Sequence, residues 1–137
     1  MSYRKFLFLL TVMVLFPLLG RAQSIPEKEY QACINELNAR CPIEHPDGWA
    51  LLTFTDQGDT TRIELLYPSL LKGFLPALTG NAQNVRNLWV RQMRMFGDDW
   101  KSFVRLMLAT RRTLVIDFTM GDGDPAASIT FQREDFD

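Results

Sequence analysis

Residues 49–67 read WALLTFTDQGDTTRIELLY, and the order of these side chains decides the class of fold. Trp49 to Thr55 and Thr61 to Tyr67 are rich in aromatic, β-branched and aliphatic residues, while Asp56-Gln57-Gly58-Asp59 between them is a turn-forming cluster. The second run alternates, with Ile63, Leu65 and Tyr67 on one face and Arg62 and Glu64 on the other. Period two with one oily side predicts a strand that packs on a core and keeps its other face wet. The two runs form a predicted hairpin.

Working outward toward the C-terminus, the plan recurs. Leu114, Ile116, Phe118 and Met120 alternate with Thr113, Val115, Asp117 and Thr119, and Gly121-Asp122-Gly123-Asp124-Pro125 turns the chain into a strand bearing Ile129 and Phe131. Strands of a parallel sheet buried on both faces read as continuous apolar runs, so this alternation favours antiparallel pairing with one solvated face.

The flanking and intervening stretches are helical. Ser24-Ile25-Pro26-Glu27 has the form of a capping box, and Tyr30, Cys33, Ile34 and Leu37 recur at spacings of three and four before Asn38 to Pro42 ends the helix. Between the hairpins, Pro68 to Leu78 is a short apolar segment and Thr79-Gly80-Asn81 a loop. Val85, Leu88, Trp89, Met93 and Phe96 then mark an amphipathic helix stopped by Gly97. Asp98 or Asp99 is placed to cap another that buries Trp100, Phe103, Val104, Met107 and Leu108. The predicted class is α+β: a four-stranded antiparallel sheet from two hairpins with helices on one face, in the order α-ββ-ααα-ββ.

At the N-terminus, Arg4 and Lys5 precede the 14-residue apolar run Phe6 to Leu19, and Gly20-Arg21-Ala22 supplies small residues for cleavage. This is the form of a secretory signal over residues 1–22, leaving a single α+β domain over 23–137 in the periplasm or outside the cell. The run is shorter than the roughly 20 residues a membrane-spanning helix needs, and Pro17 interrupts it. No cysteine follows the small residues, so a lipid anchor is not expected. Losing Arg4, Lys5 and Arg21 takes the 15 basic residues to 12 against 16 acidic ones, a net charge of −4 that argues against nucleic acid as a partner.

Candidate chemistry is sparse. Cys33 and Cys41 are a candidate disulfide in an oxidising compartment. Were 33–41 one continuous helix, their Cα atoms would stand about 12 Å apart, too far to bridge, whereas Pro42 favours a turn that brings them together. Cys41 and His45, four residues apart, are the only pair suited to a thiolate nucleophile and base, and the four serines from Ser24 onward lack the elbow motif of serine hydrolases. No catalytic residue is assigned on this basis, and no cofactor is expected. Three Cys and His side chains are too few for a structural zinc site, and Asp122 and Asp124, with Asp117 nearby, are weak calcium candidates in what reads first as a hairpin turn.

Charge is uneven. Arg86, Arg91, Arg94, Lys101, Arg105, Arg111 and Arg112 put seven of the 12 remaining basic residues in one helical stretch against Asp98 and Asp99, leaving that stretch at +5 and the rest at −9. Presented on a shared outer face, these residues are candidates for binding an anion or an acidic partner. The plainer reading is a solvated helix surface.

The stretch Ile34-Asn35-Glu36-Leu37-Asn38-Ala39-Arg40-Cys41-Pro42-Ile43, a polar helix end running through Asn-x-x-Cys-Pro into a hairpin, resembles small exported α+β proteins of uncharacterised function from Bacteroides-like bacteria. The resemblance implies an envelope or secreted domain and brings no catalytic residues with it. The expectation is a non-enzymatic exported module that binds a protein or an envelope component. A small secreted enzyme and a self-associating envelope protein are the alternatives. When the full chain is produced in a host with a working secretion pathway, the exported product is expected to begin at Gln23 by intact mass; residues 1–22 retained in the membrane fraction would contradict the leader.

Overall fold

The computed structural model describes residues 24–68, 75–79, 82–120 and 127–137. The expected leader over residues 1–22 and the weak calcium candidates Asp122 and Asp124, with the hairpin turn expected there, lie outside the described residues. The described order is α1 (Ile25–Arg40), β1 (Ile43–Glu44), β2 (Ala50–Asp56), β3 (Thr60–Leu66), the short α2 (Leu75–Leu78), α3 (Gln83–Met93), a 3-10 turn (Arg94–Phe96), α4 (Asp98–Ala109), β4 (Thr113–Thr119), β5 (Ala127–Phe131) and a second 3-10 turn (Arg133–Phe136).

The strands form one sheet in the order β1-β2-β3-β4-β5. Two expectations need correction. The sheet has five strands, because Ile43 and Glu44 pair with Leu51 and Ala50 ahead of the first hairpin. It is also mixed, since β3 and β4 run parallel in the register Thr60↔Thr113 to Leu66↔Thr119, while the other three pairs are antiparallel. A helical crossover explains this: the chain leaves β3 at Leu66 and returns beside Thr60, a displacement that only a long connection achieves. Alternation in β3 and β4 therefore reported the core-facing side and not a strand direction, and the outer side of β4 is itself largely covered at Val115 and Thr119.

Helices α1, α3 and α4 pack on one side. Facing them, Phe54, Ile63, Ile116 and Ile129 form a cross-strand row and are nearly inaccessible. Tyr30, Ile34 and Leu37 of α1 and Trp89, Met93, Phe103 and Met107 of α3 and α4 close the core over it. Aromatic edges knit the layers, with Phe54 to Phe103 at 5.4 Å and Trp89 to Phe118 at 5.0 Å. The opposite face stays polar: Arg62 donates two hydrogen bonds to Asp117, and Ser128 donates a third at 2.6 Å.

Two side chains of α1 hold the sheet. Ser24 caps the helix by accepting from the Glu27 N–H, but the Glu27 carboxylate does not return to the cap as a capping box requires; it faces Arg112 instead. Asn38 donates its amide N–H to the Phe54 carbonyl at 2.8 Å and accepts the Phe54 N–H at 2.7 Å. That amide continues the edge of β2 where the two-residue β1 ends, and so satisfies backbone groups that would otherwise invite another strand. At the start of α4, Gly97 with φ +71° is the capping residue, and Asp98 and Asp99 occupy the first turn without capping through their side chains. The structure thus moves the cap back by one residue.

Arg112 organises the base of the molecule. Its guanidinium is 3% exposed and donates to both Glu27 oxygens at 2.5 and 2.9 Å and to both Asp56 oxygens at 2.9 and 3.1 Å. It lies 4.0 Å above the Tyr30 ring. Tyr30 in turn shares a hydrogen bond with Thr61, and burial pushes its phenol up to about 12. The Arg112 hydrogen bonds hold Glu27 below its ordinary carboxylate value. Burial pushes Asp56 up, but bonds from Arg112, the Gly58 N–H and Gln31 outweigh it, and the net shift is downward.

Removing one partner of a buried ion pair strands the others, which costs about 3–5 kcal/mol. Arg112→Ala is therefore expected to lose about that much unfolding free energy in urea at neutral pH. Both carboxylates are lowered in the folded state, so their contribution is present above the ordinary carboxylate range and disappears as pH falls through the folded values. Wild-type stability should decline steeply below about pH 4, and the Arg112→Ala variant should show a shallower decline.

Candidate functional site

The seven candidate basic residues do not form one patch. Arg112 is consumed by the buried network. Arg86 places its Nε 2.9 Å from Asp135 and donates to Gln83 at 2.7 Å, so it secures the C-terminal turn to α3. Arg111 sits in the left-handed conformation at φ +58° that ends α4, where the chain reverses into β4. Arg86 and Arg112 are therefore structural, while Arg111 is exposed but lies away from the others at the end of α4. Sequence reading grouped them with the rest because linear charge density does not reveal which guanidinium turns inward.

The remaining four share a surface. In α3, Val85, Trp89 and Met93 recur every four residues and turn inward, which leaves Arg91 outside. In α4, Trp100, Phe103 and Met107 are buried, and Lys101 and Arg105, four residues apart, share the outer side. Gly97 permits the sharp joint that sets the two helices beside each other. Along this joint runs a shallow concavity of about 260 Å³, with Val90, Trp100, Val104 and Phe136 as its floor and Arg94, Lys101 and Arg105 at its rim. An adjoining, more open hollow shares Val90 and Arg94, adds Arg91, and is bordered by Glu134 and Asp137.

Phe136 reaches that floor because Asp135 is anchored from three sides. Gln83 donates to it at 2.8 Å, the Gln132 N–H donates at 2.6 Å, and Arg86 lies alongside. Burial pushes the Asp135 carboxyl up, yet these bonds hold it net below its ordinary value. An ionised Asp135 is thus part of what fixes the apolar floor. Among the described residues, no acidic group comes within ion-pair distance of Arg91, Arg94, Lys101 or Arg105.

Other candidates are internally satisfied or not assembled. On the open sheet face, a hollow of about 160 Å³ between Thr53, Thr55, Arg62, Glu64 and Asp117 is spanned by the Arg62–Asp117 pair. The Cys41/His45 pair does not form. His45 is buried, stacked on Trp49 with ring centroids 4.1 Å apart; its Nδ1 accepts the Asp47 N–H at 3.0 Å and its Nε2 meets the Met95 sulfur. Burial raises both Cys33 and Cys41, which favours the thiol over the nucleophilic thiolate. The candidate Cys33–Cys41 bridge is also absent, since α1 runs unbroken to Arg40 and keeps the two apart. Among the described residues, no group of three or more His, Cys, Asp or Glu side chains is placed to hold a metal. None of their helices is long and apolar enough to cross a membrane.

Comparison with known protein families, with curated proteins and with solved structures finds no match to this chain. The site must be argued from its own chemistry.

Two free thiols per chain are expected. Alkylation after unfolding without reductant should add two labels to each molecule, and a labelling-resistant chain two mass units lighter would establish a bridge.

Proposed function

We propose that this chain is an exported, non-enzymatic binding module whose contact surface is the outer side of α3 and α4, and that its partner there is anionic, either a protein or an envelope component. One observation carries the reading. Three unpaired cations, Arg94, Lys101 and Arg105, ring an apolar floor of Val90, Trp100, Val104 and Phe136 with no acid in the lining. A merely solvated helix face has no need of a concave apolar floor beneath its charges.

The chemistry defines what fits. Cations at a rim steer an anion and fix its orientation, whereas the partly exposed Val104 and Phe136 of the floor supply apolar area that a ligand removes from water. A ligand bearing both an acidic group and an apolar group complements the two together. The net charge of −4 expected after loss of the leader, concentrated elsewhere on the molecule, repels such a ligand from other faces and leaves this one favoured. The export reading rests on the leader pattern and on the resemblance to small exported α+β proteins; it makes the envelope or extracellular space the place where the partner is met.

Binding to envelope extract from the native host, measured against ionic strength, tests this. The triple change Arg94→Glu, Lys101→Glu and Arg105→Glu is expected to weaken binding by about tenfold or more and to flatten its salt dependence. Arg111→Glu, outside the concavity, is expected to change neither. Unchanged binding in the triple variant would dispose of the surface.

A further inference from the structure

The end of α1 and the start of α4 meet over a small hollow of about 50 Å³. Its walls are apolar, with Leu37 of α1, Ile43 of β1, Leu51 and Phe54 of β2, and Phe96 and Phe103 among them. Leu51, Phe54 and Phe103 are buried and form its floor. The mouth carries two opposite charges: Arg40 Nη1 donates to Asp99 Oδ2 at 2.8 Å, and these side chains remain 45% and 55% exposed.

We infer that this hollow binds a free α-amino acid with a small branched aliphatic side chain. Asp99 holds the ligand's ammonium, Arg40 holds its carboxylate, and the apolar walls take its side chain. The site does not rest on the basic concavity and shares only Trp100 with it.

Charge, size and energetic cost all favour this ligand. An α-amino acid carries a cation and an anion on one carbon, so inserting it between Arg40 and Asp99 exchanges one charge-assisted contact for two. A ligand with only one of those charges parts the pair and leaves a partner unmatched, and a residue inside a peptide has neither charge on its backbone. An ion pair as exposed as this one contributes little to stability, so parting it costs little. Glu36, four residues before Arg40 on α1, acts on the Arg40 charge, and the guanidinium therefore keeps an acidic neighbour when Asp99 turns to the ligand. The hollow is a little under two waters' share of the liquid, at about 30 Å³ each. That admits an isopropyl group as Arg40 draws back and excludes an aromatic ring. Three separate contacts around one carbon also fix its handedness.

L-valine is the probe, titrated into the full chain and read by calorimetry and by NMR. One equivalent is expected to bind in the millimolar range, shifting the Leu37 and Ile43 methyls and the Trp100 indole N–H together. D-valine, isobutylamine, which lacks the carboxylate, and isovalerate, which lacks the ammonium, should each bind about tenfold or more weakly. Asp99→Asn and Arg40→Gln, both at exposed positions, should each cost about tenfold in affinity with the thermal midpoint nearly unchanged, whereas Asp98→Asn, outside the lining, should have no effect. No response to L-valine at about 50 mM, equal affinity for D-valine or for either singly charged analogue, or binding indifferent to Asp99→Asn would each overturn the proposal.

Discussion

The guanidinium of Arg112 meets two carboxylates from separate elements, and the geometry of the rest follows from that meeting. Glu27 belongs to the first turn of α1, Asp56 to the last position of β2, and Arg112 itself immediately precedes β4. One planar fork thus ties the first helix, the first hairpin and the returning crossover at a single point. Next to it, the Thr113 N–H donates to the Asp59 carbonyl at 3.0 Å and starts the parallel β3–β4 register. Lysine offers one point charge and no fork, so it would satisfy one carboxylate and leave the other buried. The Tyr30 ring beneath the fork adds a face that favours the cation and excludes water from the pairs.

Once β4 is placed beside β3, the helices between them must cover one face, and their outer surface is what the molecule presents. The cations on that surface divide by direction. Arg86 and Arg112 turn toward carboxylates and become structural, whereas Arg91, Arg94, Lys101 and Arg105 stay in solvent. Covering the core and displaying charge are the two sides of the same amphipathic helices. The concavity arises at their joint because Gly97 lets α4 depart sharply and the anchored C-terminal turn supplies Phe136.

The three-residue turn Arg94–Phe96 links this surface to the buried histidine. A 3-10 turn advances about 120° per residue, so successive side chains leave in three directions. Arg94 faces the concavity, Met95 reaches the His45 nitrogen, and Phe96 packs against Trp49 at 5.7 Å. On the other side, the His45–Gly48 loop is closed by its own backbone bonds, with Gly48 at φ +94° donating to the His45 carbonyl. The loop and the short turn therefore bring two side chains distant in sequence together.

Local order was legible in the amino acids alone. Period two in Thr61 to Tyr67 and Thr113 to Met120, the spacing of Tyr30, Ile34 and Leu37, and the turn residues at Asp56 to Asp59 named the elements and their inward faces, because burial on one side is a property of neighbours in sequence. What no local pattern contains is the direction in which a remote segment returns. The parallel joint of β3 to β4 follows from how far the crossover carries the chain, and the two-residue β1 is too short to show a period. The pairing of Glu27 with Arg112, 85 residues away, and of His45 with Met95 depends on which side chains the packed layers leave facing each other. A charge or a sulfur has the same letter whether it ends in water or against a partner, and only the closed core decides between them.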